Sequence, residues 1–220
     1  LSATANTLTL GKGAAGSLRL TSDNGTFETT DFIVPTVSLT INLGNIGDSL
    51  TINALDPTFN VPLTVNGGAL ADAITVNAVT GAGAYVVKGG GGNDRFTVGP
   101  MTGSSLTVRG DAGNDILVSA PGVAVTLTDT SFAAGGLTVA LVSIESATLA
   151  APSLDSSGFT GPVSLLTSEA TWTPVGPFTT VAPGAISTSA SGMDPQGNPV
   201  AGAVDLVVID PRNASIAYVA

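Results

Sequence analysis

Two nine-residue stretches of this chain are versions of one pattern. They are Gly89-Gly90-Gly91-Gly92-Asn93-Asp94-Arg95-Phe96-Thr97 and Gly110-Asp111-Ala112-Gly113-Asn114-Asp115-Ile116-Leu117-Val118, and the second starts 21 residues after the first. That step is long enough for one circuit of a parallel β-solenoid, in which the two turns lie one above the other. Asp94 and Asp115 are then expected about 4.8 Å apart, the spacing of neighbouring strands. Bare carboxylates at that distance repel. A Ca²⁺ ion, which takes oxygens at about 2.3–2.6 Å, fits between them.

Aligned on the same aspartate, the pattern extends to Asp48, Asp72, Asp94 and Asp115, in steps of 24, 22 and 21 residues. Strands are expected before each turn at 38–43, 63–66, 85–88, 106–109 and 125–128, and after each at 50–53, 74–77, 96–98, 117–119 and 137–139. Most alternate apolar and polar residues, as in Leu63-Thr64-Val65-Asn66, which is the period of a strand with one buried face. Leu50, Ile74, Phe96, Leu117 and Leu137 form one expected inward stack, and Leu63, Tyr85, Leu106 and Val125 begin another. A single circuit cannot bury its apolar face, whereas stacked circuits do. No 3.6-residue stripe persists, so helix is not expected.

The expected fold is therefore all-β: a parallel β-helix or β-solenoid of about five coils over 37–150, with 1–36 as an irregular N-terminal cap or first coil. Near Ala150 the Gly turns give way to a Pro/Ser-rich linker, 151–201, and a C-terminal β-strand extension follows over 202–220. Within that extension, 204–209 and 215–219 read as two strands joined by Asp210-Pro211-Arg212-Asn213.

The chain contains no Cys and no His, which removes thiol and imidazole chemistry and the usual Zn²⁺ or Cu²⁺ ligands. With 16 acidic and 6 basic residues the net charge is −10, and nucleic acid is not an expected partner because phosphate binding needs clustered Lys and Arg. No apolar run approaches the roughly 20 residues of a membrane span. The chain opens on Leu1 without a leader, and reads as a mature or excised piece of a larger protein.

Gly89–Thr97 and Gly110–Val118 resemble the RTX, or haemolysin-type, calcium-binding nonapeptide G-G-x-G-x-D-x-U-x, where U is a large apolar residue. The first stretch matches through Gly89, Gly90, Gly92, Asp94 and Phe96. The second matches through Gly110, Gly113, Asp115 and Leu117, with Asp111 at the second position. The resemblance implies Ca²⁺ between successive turns, held by the carboxylates of Asp94 and Asp115 with carbonyls near Gly90, Gly92, Asp111 and Gly113. The upstream copy, Gly67–Thr75, has Leu70 where a glycine belongs and extends the expected ligands to Asp72. The copy at Leu43–Thr51 keeps only Gly44, Asp48 and Leu50. Members of the family carry nonapeptides in tandem, whereas here the second turn of each circuit is ordinary. The alternative for the same residues is a plain Gly-Asn-Asp turn, since Asn and Asp tolerate left-handed backbone. The C-terminal strand pair resembles the opening of a blade in sialidase-type or sortilin-type β-propellers, over about twenty residues. A propeller needs at least four blades, more than this chain can hold.

Outward rows of Thr (Thr40, Thr64, Thr107, Thr126 and Thr51, Thr75, Thr97, Thr138) resemble the flat arrays of ice-binding solenoids, although Thr also simply favours exposed strand positions. The expected function is non-catalytic: an extracellular structural, assembly or adhesion module of a bacterial surface protein, stiffened by Ca²⁺. Its expected partners are other copies of itself or other domains of the same surface protein, with polysaccharide as a further ligand. The alternative is an accessory module of a polysaccharide-active protein, or a β-helix lyase or hydrolase, for which Lys88, Arg95 and Arg109 are the basic candidates.

Overall fold

A computed structural model describes residues 4–78, 82–99 and 105–166, together with two backbone strands near the C-terminus. The chain divides into two compact units, Leu1–Ala170 and Thr171–Ala220. The described residues contain only strands and turns, so no helix long and apolar enough to cross a membrane is present among them.

Among its described residues the first unit holds seventeen strands: β1 (Thr7–Lys12), β2 (Ser17–Ser22), β3 (Thr30–Ile33), β4 (Leu39–Gly44), β5 (Ser49–Ile52), β6 (Leu63–Gly68), β7 (Ala73–Val76), β8 (Tyr85–Gly91), β9 (Arg95–Val98), β10 (Leu106–Ala112), β11 (Ile116–Ser119), β12 (Val125–Thr128), β13 (Ser131–Ala134), β14 (Leu137–Val142), β15 (Ser146–Leu149), β16 (Leu154–Gly158) and β17 (Val163–Leu165). They form two sheets. One has the order β17-β15-β11-β9-β7-β5-β1-β2-β3, and the other β16-β12-β13-β14-β10-β8-β6-β4. Successive strands from β4 to β11 alternate between the sheets, so each neighbour within a sheet comes from the next repeat and pairs parallel.

Register follows the apolar alternation. In one sheet Leu39, Leu63, Tyr85, Leu106 and Val139 are successive partners. In the other Leu8, Leu50, Ile74, Phe96, Leu117 and Ala147 are. A one-residue slip would turn every inward side chain outward, so these stacks fix the register. Inward residues of both sheets merge into one hydrophobic core, in which Phe59 and Tyr85 meet edge to face with centroids 6.1 Å apart.

The two corners of each repeat behave differently. Counted from the residue after Asn42, Asn66, Lys88 and Arg109 to the aspartate, the first corner has six residues in four consecutive repeats, 43–48, 67–72, 89–94 and 110–115, and the ladder continues into it through such pairs as Gly44–Gly68 and Gly90–Asp111. The opposite corner shortens from 53–62 to 77–84 to 99–105, and this alone produces the declining steps.

Past β11 the structure departs from the expected series. β12 does not stack on β10. It pairs antiparallel with β13, which pairs antiparallel with β14, and β14 is the strand that lies on β10. Val139 thus takes the place expected of Val125, and Ala147 that expected of Leu137. Gly135 and Gly136, both at positive φ, turn the chain back between β13 and β14 where the sequence period predicts a continuing repeat. β16 and β17 fall inside the stretch read as linker and extend both sheets, pairing parallel with β12 and β15. The prolines there, Pro152 and Pro162, precede the strands and cost no ladder bond. At the other end β1 joins β5 in parallel, while β2 and β3 follow as an antiparallel meander, the irregular cap.

The second unit contains β18 (Val207–Asp210) and β19 (Asn213–Val219), paired antiparallel. The rest of the expected linker, 167–201 with Trp172, and the first residues of the expected C-terminal extension, 202–206, lie outside the described residues.

Candidate metal centre

The six-residue corner ends each time on an aspartate: Asp48, Asp72, Asp94 and Asp115. All four are buried, Asp94 and Asp115 completely. The carboxylates of Asp72, Asp94 and Asp115 each reach back one repeat and accept the backbone N–H of the aspartate before them. Asp48 N–H donates to Asp72 Oδ1, Asp72 N–H to Asp94 Oδ1, and Asp94 N–H to Asp115 Oδ1, every bond at 2.7 Å. The main chain links them in the other direction, with Ala73, Arg95 and Ile116 N–H donating to the carbonyls of Asp48, Asp72 and Asp94. The result is a ladder of acidic side chains inside the corner.

Both ends of the ladder are closed by other residues. Asn6 gives its backbone N–H and its Nδ2 to Asp48 Oδ1, at 2.6 and 2.8 Å. Glu145 Oε2 accepts the N–H of Asp115 at 2.8 Å.

Only one oxygen of each aspartate is used in this way. The Oδ2 atoms of Asp48, Asp72, Asp94 and Asp115 are buried and have no hydrogen-bond partner. An isolated buried acceptor costs about 1–3 kcal/mol, and more when charged. In the last three repeats Oδ2 faces the glycine that opens the corner. A Cβ on Gly67, Gly89 or Gly110 would collide with Oδ2 of Asp72, Asp94 or Asp115 respectively. The glycine hydrogen pointing at Oδ2 supplies at most a weak C–H···O contact. Asp56, at the opposite corner, is the contrast. It is equally buried but accepts N–H and Oγ–H of Thr58 and N–H of Gly16, and these bonds, led by the Thr58 hydroxyl, hold its carboxyl below the usual range.

Electrostatics separate the ladder from an ordinary turn motif. Burial pushes Asp115 up to about 6, and the charges of Asp94, Glu145 and Asp111 push the same way. Burial likewise raises Asp94, with Asp72 and Asp111 adding to it, and raises Asp72, with Asp48 adding to it. In each case the N–H bond from the preceding aspartate opposes the rise.

All seven expected ligand residues lie along this corner. Gly90 and Asp111 are register partners on β8 and β10, and both have positive φ, 104° and 70°. The Asp111 side chain turns outward to Arg109 at 3.1 Å, so only its backbone remains on the corner. Gly92 N–H bonds the Ala112 carbonyl at 2.9 Å, and Gly113 sits so tightly on the Gly92 carbonyl that a Cβ there has no room. Carbonyls of Gly44 and Gly68 likewise point into the following repeat, at Gly68 and Gly90. Over Gly67, the Gly89 carbonyl converges with Asp72 Oδ2.

The donor set is all oxygen, one free carboxylate oxygen per repeat plus main-chain carbonyls, which suits a hard cation such as Ca²⁺. No group of three or more Asp, Glu, His or Cys side chains gathers at one point among the described residues. Any ion there depends on carbonyls as much as on carboxylates.

Asn6, Asp48 and Glu145 complete the ladder without belonging to the expected ligand set. Asp48 is signalled by its 24-residue step to Asp72, whatever its glycines. Glu145 has no such signal, because its corner has only three residues, 143–145. The chain matches no family model, no curated protein and no solved structure.

Proposed function

We propose that this chain is a parallel β-solenoid with a structural, non-catalytic role in a secreted or cell-surface protein, stiffened by Ca²⁺ along its inner carboxylate ladder. The observation that carries the reading is the row of buried, unpartnered Oδ2 atoms on Asp48, Asp72, Asp94 and Asp115. Such a row is unfavourable by itself, since it keeps acidic groups together away from water. A divalent cation supplies the missing partner charge. Asp72, Asp94 and Asp115 would hold it through Oδ2, helped by main-chain carbonyls from the glycine corner. Bound ions would tie successive repeats together across the sheet, which is the direction in which a spacer is loaded. The parallel register of both sheets and their shared core support the solenoid reading.

Thermal unfolding in CaCl₂ against EDTA tests this function. A cation bound only by the folded chain raises stability by RT ln(1 + [L]/Kd), about 2.7 kcal/mol at a hundredfold excess over Kd. Identical melting in about 10 mM CaCl₂, at least tenfold above the Kd of about 10⁻⁴–10⁻³ M typical of extracellular modules, and in EDTA would remove the metal from the reading.

A further inference from the structure

The two sheets end unevenly. At the first end the nine-stranded sheet runs three strands past β5, through β1, β2 and β3, while the eight-stranded sheet stops at β4. At the last end the eight-stranded sheet runs three strands past β14, through β13, β12 and β16, and the other adds only β17 past β15. The sheet that is recessed at one end therefore protrudes at the other.

The recess leaves the core open. A cavity of about 240 Å³ lies between Leu8, Leu10, Leu20 and Phe32 of the meander and Leu39 and Ile41 of β4. Leu20, Phe32, Leu39 and Ile41 are only half-buried. Among the described residues β4 is also a free edge. Its Leu39 N–H donates to the Pro62 carbonyl on the β6 side, and successive residues of a strand point their backbone groups to opposite sides. Thr40 and Asn42 thus turn N–H and C=O to the empty side. β4 carries neither the charge nor the proline that usually blunts such an edge.

The opposite edge of the same sheet matches it. Every strand of the eight-stranded sheet runs one way except β13, so β16 laid on β4 by translation pairs parallel. Heights along the strands agree as well. Leu39 is level with Val139 through Leu63, Tyr85 and Leu106, and Leu137 is level with Leu154 through Ala134 and Val125. Val37, two residues before Leu39, therefore stands at the height of Leu154. Val37 is 81 % exposed and Leu154 half-buried, so each lacks a cover that the other can supply.

We infer that copies of this chain join end to end, β16 of one adding to β4 of the next so that Leu154 covers Val37 and the eight-stranded sheet runs on from copy to copy. The join continues the parallel contact by which successive repeats already lie on one another. The recess is three strands deep and the overhang two, so the three-residue β17 yields its edge place to β3 of the next copy. Such a contact is heterologous, and a translation does not close on itself, so the product is an open filament. The inference rests on the solenoid reading above but not on its metal, and an experiment in EDTA keeps the two apart.

Sedimentation velocity of the 220-residue chain in EDTA, from about 1 μM to about 1 mM, tests the inference. Species that grow beyond the dimer as concentration rises are expected. A chain that stays monomeric over that range, or stops at the dimer, overturns the inference and leaves the Ca²⁺ melting comparison untouched. Thr40→Pro removes an N–H on the empty side and spares the bonds to β6, whereas Val37→Lys places a charge where Leu154 comes to lie. Each is expected to weaken association at least about tenfold. Leu70→Lys, at an exposed leucine of the corner, is expected to leave association unchanged. Thr40→Pro keeps its β16 edge, so a small fraction of it mixed into wild type is expected to cap the filaments and shorten them. Assembly of Thr40→Pro and Val37→Lys at wild-type strength overturns the inference, as does an equal loss in Leu70→Lys. Where melting shows that Thr40→Pro does not fold, Val37→Lys decides alone.

Discussion

The carboxylate of Asp94 folds back over Gly89, and a single methyl group on that glycine would land on Oδ2. The neighbour is a buried side chain fixed at its other oxygen by Asp72 N–H, so it has nowhere to retreat. Gly89→Ala is expected to cost about 1–3 kcal/mol, the range for overfilling a packed interior. Gly16 supplies the control. Its φ is 75° but nothing lies near its missing Cβ, so Gly16→Ala meets only the left-handed penalty of about 1–2 kcal/mol. Urea unfolding in EDTA compares the two, and a Gly89→Ala variant as stable as wild type would contradict the geometry.

Asp94→Ala and Asp94→Asn separate the hydrogen bond of the ladder from its charge. Alanine leaves the buried Asp72 N–H without an acceptor, at about 1–3 kcal/mol. Asparagine retains that acceptor and removes a charge from the interior. In EDTA, Asp94→Asn should therefore unfold at higher urea than Asp94→Ala. The reverse order would show that the Asp94–Asp72 bond contributes nothing.

Acid should stabilise the metal-free chain. Asp115 sits at about 6 in the folded state, above its ordinary unfolded value of about 3.9, and Asp94 and Asp72 are raised as well. Between those limits the folded state holds more protons than the unfolded one, so stability falls as pH rises through 6. Melting in EDTA should move up by a few degrees from pH 7.5 to pH 5, since about 1 kcal/mol shifts a chain of this size by roughly 2–4 °C. A flat profile over that interval would argue against buried protonation. Saturating Ca²⁺ should reverse the trend, because protons compete for the same oxygens.

Phe96 and Thr97 are adjacent on β9 and point to opposite faces. Phe96 is 1 % exposed, and its replacement by alanine should cost about 3–5 kcal/mol. Thr97→Ala, on the outer face, should stay within about 0.5 kcal/mol. Denaturation midpoints of the two variants measure how much of the stability lies in the inward stack.

Much of this arrangement is legible in the sequence because the repeat and the strand alternation agree. Leu63-Thr64-Val65-Asn66 and Leu106-Thr107-Val108-Arg109 give both period and face, and the structure pairs each of them with Tyr85–Lys88 in register. The common corner of Asp72, Asp94 and Asp115 follows from their spacing. What escaped is what the spacing does not encode. The strands β12 and β13 alternate like the others, and the chain turns back at Asp129-Thr130 and again at Gly135-Gly136, the latter pair at positive φ. Asn6 and Glu145 hold the ends of the ladder with different side chains and from outside the period, so no repeat points to them. The partners of the Oδ2 atoms are a matter of side-chain direction, which periodicity leaves open.

The unequal corners give the molecule a rigid edge and a permissive one. At 43–48, 67–72, 89–94 and 110–115, one added residue would carry an aspartate out of line with its neighbours and break the N–H bond above it. On the other edge, segments of ten, eight and seven residues join the same stacked strands. Lengthening a flexible loop costs only about 0.6 kcal/mol per doubling. Foreign peptides inserted between Asn53 and Ala54, ahead of buried Leu55, Asp56 and Phe59, would thus lengthen that edge while the aspartates of the other keep their line.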